Sequence, residues 1–220
     1  MSEVHFLSSR PSIITQGLLP LSDSQHARIG MIWETAIRAR PDLTDDRVLV
    51  ARSIEPPAFH CAVTSYRTFI ACREDAELAQ DLALRPVAVS GVLQCADGLV
   101  FGRRGKTVSQ DPGMWELAPS GTLTPDATLE SQIRTELDEE IGPIPAEIDA
   151  PVGWLEDTQS GVIDFLLPIR TPLDAAALHR LPRTPEYPEI AVAADPIHFL
   201  TRQGELAANH ARLIVHALYT

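Results

Sequence analysis

The chain is poor in aromatic residues and cysteines, and it lacks long apolar runs. Phe, Trp and Tyr make up only 5% of the 220 residues, but the hydrophobic fraction of 45% is sufficient for a core. The three cysteines, Cys61, Cys72 and Cys95, show no Cys-x-x-Cys spacing, so we expect small buried thiols in a reducing cytoplasm. No apolar segment reaches the length of a membrane span, and the N-terminus shows no signal-peptide pattern. These features predict a cytoplasmic protein with no membrane partner.

Positive charge is also scarce. The chain carries 18 Lys and Arg residues against 30 Asp and Glu residues, which gives a formal net charge of -12. This balance argues against duplex nucleic acid as a partner, and it allows an anionic substrate only if cations mediate the contact. The sequence contains no GxGxxG, GxxxxGK[ST] or HExxH motif, which speaks against Rossmann, P-loop and zinc-protease sites.

Acidic residues are concentrated in one segment, "SGTLTPDATLESQIRTELDEEIGP" at 120–143. Residues 124–126, Thr-Pro-Asp, predict a helix start, and Gly142 with Pro143 predicts its end. Apolar residues recur every four positions and predict the buried stripe of this helix: Leu129, Ile133, Leu137 and Ile141.

Three carboxylates of this helix, Glu136, Glu139 and Glu140, stand at i, i+3 and i+4, so their side chains are neighbours. Like charges at these spacings destabilise a helix by a few tenths of a kcal/mol per pair. A hard divalent cation such as Mg²⁺ would reverse the sign of that interaction, because it takes oxygen ligands. The alternative is an acidic helix face that is simply solvated.

The segment resembles the Nudix box, whose pattern is Gly, five residues, Glu, seven residues, Arg-Glu, an apolar residue, any residue, Glu-Glu, any residue, Gly. Ala127 and Thr135 depart from it, at the positions of the first Glu and of the Arg. The flanking segments "PGMWELAPSG" (112–121) and "VAVSGVLQCADGLVFGRR" (87–104) are also similar to that family. The matching box positions are Gly121, Glu136, Leu137, Glu139, Glu140 and Gly142.

The resemblance implies an α/β fold of the Nudix type, an α/β/α sandwich with a mixed sheet, in residues 86–220. Residues 1–85 are expected to form an N-terminal α+β subdomain. It also implies Mg²⁺ or Mn²⁺ as cofactor, with Glu136, Glu140 and the backbone at Gly121 as ligands. Glu139 would bind a further ion or order its water, so the three glutamates are the expected catalytic residues.

Four shorter segments are similar to the Nudix branch that cleaves UDP-glucose and UDP-galactose. They are "IWETAIRARP" (32–41), "AVTSYRTFIA" (62–71), "LVFGRRGKTVSQDPGMWELAP" (99–119) and "ANHARLIVHALY" (208–219). The resemblance implies a nucleotide diphosphatase that splits a UDP-sugar into UMP and a sugar 1-phosphate. Tyr66, Arg67, Arg103 and Arg104 are the candidate substrate contacts.

The two departures from the box leave alternatives open. Without the Arg at 135, the enzyme is expected to be slow or to use a base on a later strand. The candidates for that base are Asp164, Glu156, Glu186 and Glu189. Other possibilities are a non-catalytic Nudix domain that binds a nucleotide or a protein, and a hydrolase of ADP-ribose or dinucleoside polyphosphates. A homodimer is also open.

The remaining pattern predicts the main elements. A helix is expected over 22–40, strands over 47–54 and 58–64, and a helical or irregular stretch up to Pro86. Strands are expected near 87–95, 98–104, 115–118, 150–156 and 161–168. A short helix near 173–180, a strand at 197–200 and a helix over 205–218 complete the prediction.

Overall fold

A computed structural model describes residues 2–41, 43–108, 110–158 and 160–220. The strands are β1 (Glu3–Phe6), β2 (Ser12–Leu18), β3 (Arg47–Glu55), β4 (Ala58–Ser65), β5 (Val87–Cys95), β6 (Gly98–Arg103), β7 (Trp115–Leu117), β8 (Ser120–Thr122), β9 (Glu147–Ile148), β10 (Gly153–Glu156), β11 (Ile163–Arg170) and β12 (Glu189–Ala193). The α-helices are α1 (Asp23–Ala39), α2 (Tyr66–Glu74), α3 (Ala76–Leu82), α4 (Leu129–Glu136), α5 (Ala175–His179), α6 (Pro196–Gln203) and α7 (Asn209–Tyr219). A π-helical segment covers Leu137–Ile141, and a 3-10 turn covers Gly204–Leu206.

The larger sheet is mixed. Its strands follow the order β1-β10-β11-β5-β6-β12, while β7, β8 and β9 pair with β6, β5 and β11. Strands β5 and β11 run parallel, and the other pairs of this sheet are antiparallel. The predicted α/β architecture with a mixed sheet is therefore confirmed.

A second sheet of three strands, in the order β2-β4-β3, belongs to the N-terminal region. Its buried side chains share one core with the larger sheet, as shown by the edge-to-face contact of Phe59 with Phe165 at 4.7 Å. The backbone also connects the two regions, because Leu49 N donates to Leu123 O at 3.0 Å. Tyr66 and α2 thereby come close to the larger sheet. The division of the chain at residues 85 and 86 stays a proposal.

Helix α1 packs against α2 and α3. Its Ile29 is buried in a cluster with Ala71 of α2 and Leu78 of α3. Ser22 caps the helix in a capping box with Gln25, as the polar residues before the apolar pattern predict. Within the described residues, no helix has the length and apolar character needed to cross a membrane.

Two predictions about local structure are wrong. The expected strand at 197–200 lies in helix α6, because Asp195 caps it and Pro196 occupies its first turn; the last strand of the larger sheet is instead β12. The expected helix start at 124–126 is a turn. The helix begins at Leu129, because Thr128 and Ser131 form a reciprocal capping box that outcompetes the Pro signal.

Candidate active site

Helix α4 and the π-helical segment after it carry the acidic residues. The predicted apolar stripe is buried at all four positions, which fixes the helix face toward the core. The amide of Gly142 donates to Leu137 O at 2.9 Å, a bond that spans five residues. Gly142 then ends the helix with a φ of 122°, a conformation that glycine adopts readily. The wider turn therefore lies within the acidic segment, and π-helical turns are frequent at functional sites.

Glu136 lies against the backbone of strand β8. An added Cβ at Gly121 would come within 1.9 Å of Glu136 Oε1, so a side chain at 121 would require the Glu136 carboxylate to move. The same oxygen accepts a hydrogen bond of 2.7 Å from Gln132 Nε2, one turn earlier on α4. The predicted pair of Glu136 and Gly121 is therefore brought together.

Glu140 is buried beside the same strand. Its Oε2 accepts a hydrogen bond of 2.9 Å from the amide of Ser120, the residue before Gly121. Glu139 behaves differently, because it is exposed and does not belong to the residues that line the adjoining cavity. The structure thus joins Glu136 and Glu140 and separates Glu139 from them.

Half-buried Glu136 and buried Glu140 both resist ionisation. Burial raises the pKa of Glu136 to about 7, the bond from Gln132 opposes that rise, and the charge of Glu139 adds to it. Burial also raises the pKa of Glu140 well above its usual range, although its bond from Ser120 stabilises the anion. In the described part of the chain, no Lys, Arg or His forms an ion pair with either carboxylate. Their charge is therefore left without a neutralising partner.

A cavity of about 300 Å³ opens above these carboxylates, and we call it the carboxylate cavity. Its polar lining among the described residues is Tyr66, Ser90, Arg104, Gln110, Glu116, Ser120, Thr122, Glu136, Glu140, Asp157, Ser160, Asp164, Glu186 and His210. A second cavity of about 800 Å³ adjoins it and shares six lining residues with it: Phe69, Pro86, Gln110, Asp157, Ser160 and His210. The two cavities therefore form one cleft between α2, α3 and the larger sheet.

Glu116 is the centre of a buried polar network that sequence reasoning missed. It lies on β7, and its Oε1 accepts bonds from Arg104 Nη1 at 2.9 Å and from Tyr187 Oη at 2.6 Å. Its Oε2 lies 3.3 Å from His210 Nε2. Burial alone would raise the pKa of Glu116, but the bond from His210 and the charge of Arg104 lower it. Arg104 and His210 therefore both hold Glu116 and favour its anion.

His210 stands between two carboxylates. Its Nε2 faces Glu116, and its Nδ1 lies 3.9 Å from Asp111 Oδ2. Burial opposes protonation of His210, but the bond to Glu116 and the charges of Glu116 and Asp164 outweigh it and raise the pKa. Asp111, Glu116 and His210 lie close enough to hold a metal. Because different ring nitrogens face the two acids, the arrangement fits a protonated imidazole better than a metal centre.

Asp164 occupies another wall of the carboxylate cavity. It lies on β11 and is 6% exposed. Its Oδ2 accepts a hydrogen bond of 2.7 Å from Ser90 Oγ on the parallel strand β5. Burial raises the pKa of Asp164 to about 6, and the bond from Ser90 limits the rise.

The four predicted substrate contacts divide into two pairs. Tyr66 and Arg104 line the carboxylate cavity, and Arg104 is also paired with Glu186 at 2.7 Å. Arg67 and Arg103 do not line it. Arg67 pairs with Asp45 at 3.3 Å, and Arg103 pairs with Glu189 at 3.1 Å. Arg103 and Arg104 thus point in different directions, as expected for successive residues at a strand end.

The candidate bases divide in the same way. Asp164 and Glu186 line the carboxylate cavity, whereas Glu156 and Glu189 do not. Glu156 forms an ion pair with Arg85 at 2.7 Å. Only two of the four candidates are therefore in reach of a molecule in that cavity.

Ala127 and Thr135, the two residues that depart from the Nudix-box pattern, both lie outside the carboxylate cavity. Ala127 packs at the edge of the core, and Thr135 is exposed and donates to Ser131 O at 3.2 Å. Arg134, the neighbour of Thr135, donates to Ala146 O and so is directed away from the carboxylate cavity. In the part of the chain that the structure describes, no guanidinium therefore pairs with Glu136 in place of the absent one.

The chain is similar to several solved structures. It shares 19% identity with DR0079 from Deinococcus radiodurans, with a TM-score of 0.55 over 80% of this chain and 100% of that one. The MutT protein from Methanosarcina mazei shares 20% identity, with a TM-score of 0.47 over 60% of this chain and 91% of that one. The Nudix domain of NrtR from Shewanella oneidensis, solved with ADP-ribose, shares 19% identity, with a TM-score of 0.44 over 61% and 86%. The first likeness shows a shared fold over most of the chain. No family model and no curated protein matches the sequence.

Proposed function

We propose that the chain is a Nudix-type hydrolase that cleaves the diphosphate of a nucleoside diphosphate joined to another group. The observation that carries this proposal is the pairing of half-buried Glu136 with buried Glu140, neither of which has a cationic partner among the described residues. Burying unpaired charge costs several kcal/mol, and proteins retain it where a metal or a ligand offsets the cost. The resemblance of the segment to the Nudix box supplies the reaction class.

The residues fit a hard divalent cation, Mg²⁺ or Mn²⁺. Glu136 and Glu140 offer carboxylate oxygens, and the missing side chain of Gly121 leaves its backbone accessible beside Glu136. When bound, such an ion neutralises charge on diphosphate oxygens and lowers the pKa of its water. Glu139 stays a proposed catalytic residue, in a role outside the carboxylate cavity.

The side chains of Arg104 and His210 are placed to bind the phosphate groups of the substrate. Arg104 and His210 line the wall formed by β6, β7 and α7, and both are fixed by Glu116. Held in this way, they present positive charge to phosphate oxygens without losing further side-chain entropy on binding. Tyr66 offers a ring for contact with the base or sugar, and Arg67 and Arg103 stay predicted substrate contacts outside the cavity.

A UDP-sugar is the proposed substrate, and UMP and a sugar 1-phosphate are the proposed products. The support is the resemblance of four segments to the UDP-sugar branch, together with the cleft. The diphosphate would lie in the carboxylate cavity, and one of the two attached groups would occupy the larger adjoining cavity. A pocket between two packed units is a usual place for such a ligand.

A phosphate-release screen tests this function. Purified protein is incubated with Mg²⁺, a phosphatase that acts on monoesters, and a panel of UDP-sugars, ADP-ribose and dinucleoside polyphosphates. We expect the fastest release from a UDP-sugar. Faster phosphate release from another compound of the panel would make that compound the assigned substrate. No phosphate release from any compound would favour a non-catalytic binding domain.

The metal site is tested separately. Glu140→Gln keeps the size of the side chain and removes its charge, so Mg²⁺ affinity in a calorimetric titration should fall at least about tenfold. Asp138→Asn removes an equal charge from an exposed position of the same segment and is the matched control. Equal affinities of the two variants would contradict the assignment of Glu140.

A further inference from the structure

The position of Asp164 is linked to that of Glu140 through paired serines. Ser90 and Ser120 are register partners in the antiparallel pair of β5 and β8. Ser90 Oγ holds Asp164 Oδ2, and the Ser120 amide holds Glu140 Oε2. Directly opposed residues of such a pair lie about 4.5–5.5 Å apart between Cα atoms. One strand pair therefore fixes one oxygen of each carboxylate, and both residues line the carboxylate cavity.

The second oxygen of Asp164 lacks a partner. Oδ1 is buried, and the described residues provide it with no hydrogen-bond donor. Leaving a buried acceptor unsatisfied costs about 1–3 kcal/mol, so proteins retain one where a ligand or a reacting group uses it. Asp164 also lines the carboxylate cavity, which makes a molecule in that cavity the available partner.

We propose that Asp164 is the catalytic base of the hydrolysis, held in place by Ser90. This role rests on the proposed function. Among the four later acids that sequence reasoning left open, Asp164 combines burial, a place in the carboxylate cavity and an oxygen without a donor. Glu186 also lines the cavity, but it is half exposed and its carboxylate forms an ion pair with Arg104.

The step is balanced in atoms and charge. A water molecule loses one proton to the Asp164 carboxylate while its oxygen forms a bond to one phosphorus. The bond between that phosphorus and the bridging oxygen breaks, and the bridging oxygen leaves with the other phosphate. Asp164 then returns the proton to solvent, so one diphosphate and one water give two monophosphates.

The charges around Asp164 suit this task. The imidazolium of His210 on α7 favours its anion, whereas Glu116 on β7 and Asp157 after β10 disfavour it. With burial as the largest contribution, they leave a pKa of about 6, close to neutral pH. A base works best when its pKa lies near the working pH.

The test compares variants on the diphosphate that the screen identifies, with UDP-glucose tried first. Asp164→Asn should lower kcat at least about 100-fold, because a positioned base contributes about 10²–10⁴ in rate. KM should change less than about threefold, and Mg²⁺ affinity and melting temperature should be retained. Glu156→Gln, on the neighbouring strand and outside the carboxylate cavity, is the control and should keep its kcat.

Ser90→Ala gives an independent measurement if Asp164→Asn folds poorly. The Ser90 bond lowers the pKa of Asp164, so its removal should move the acidic inflection of the kcat profile to higher pH. An Asp164→Asn kcat within threefold of the wild type, a loss confined to KM, or an unshifted inflection in Ser90→Ala would overturn the role. Wild-type protein that binds Mg²⁺ but cleaves no diphosphate would instead refute the proposed function, and this role with it.

Discussion

At the scale of single residues, Gly121 decides where Glu136 lies. The carboxylate occupies the space that a side chain at 121 would need, and Gln132 holds it there from the other side. The position is therefore specified by a missing group and one hydrogen bond. Its neighbour Glu140 is fixed in a different way, by a backbone amide.

Gly121→Ala should separate these two modes of support. The added Cβ would force Glu136 away, so Mg²⁺ affinity should fall at least about tenfold while the bond to Glu140 remains. Gly30→Ala is the control, because its Cβ would meet no atom within 4 Å and would favour helix α1. Titration of both variants with Mg²⁺, with melting curves, measures the difference. Unchanged affinity in Gly121→Ala would show that Glu136 is not a ligand.

At the scale of elements, the end of α4 and the π-helical segment after it carry the acids. Glu136 and Glu140 lie beside strand β8, whereas Glu139 is exposed. Leu137 and Ile141 remain buried at its ends, so the core tolerates the change of helix type.

Deletion of Asp138 should convert the segment to regular α-helix. Leu137 and Ile141 would then stand three residues apart, a spacing that keeps them on one face, so the fold should survive. Glu136 and Glu140 would also stand three residues apart and remain neighbours, so Mg²⁺ affinity should stay within about threefold of the wild type. Circular dichroism and a metal titration measure the two effects, with Asp138→Ala as the control for loss of the side chain. A loss of about tenfold or more in the deletion variant alone would show that the wider turn itself sets the ligand geometry.

The sequence predicts the local part of this site well and the non-local part poorly. Glu136, Glu140 and Gly121 lie within one short segment, where spacing and turn residues indicate their arrangement. The π turn could not be predicted, because the apolar stripe fits a regular α-helix equally well. Glu116 and Tyr187 are 71 residues apart, and a single sequence carries no signal for such a contact. The prediction of a strand at 197–200 was wrong because it relied on the apolar residues there and overlooked the helix-start signal of Asp195 and Pro196.

At the scale of the whole molecule, the cleft lies between the N-terminal helices and the larger sheet. It gathers Glu136, Glu140, Asp164 and His210, whose pKa values are all raised in the folded protein. An acid with a raised pKa keeps, in the folded protein, a proton that the unfolded chain has already released. Stability from such groups is present at low pH and is lost as pH rises through the folded pKa.

The metal-free protein should therefore be less stable at pH 8 than at pH 5. Glu136 and Asp164, with pKa values of about 7 and about 6, lose their protons within this window. At roughly 1.4 kcal/mol per pKa unit, we expect a loss of at least about 2 kcal/mol in the free energy of unfolding. Urea unfolding at both pH values measures it, and saturating Mg²⁺ should restore stability mainly at pH 8. A flat profile without metal would contradict the raised pKa values.

The pairing of β5 with β11 also has a kinetic consequence. It joins Ser90 to Asp164 across 74 residues, and contacts of such long sequence separation form slowly because closure of the chain must come first. A local helix forms within microseconds, so α4 can carry its glutamates in water, fully ionised, before the walls of the cleft exist. At the proposed site, Mg²⁺ would find its complete set of ligands only after the rate-limiting step. The ion would then act on the unfolding rate, prolonging the lifetime of the native state and leaving the refolding rate unchanged.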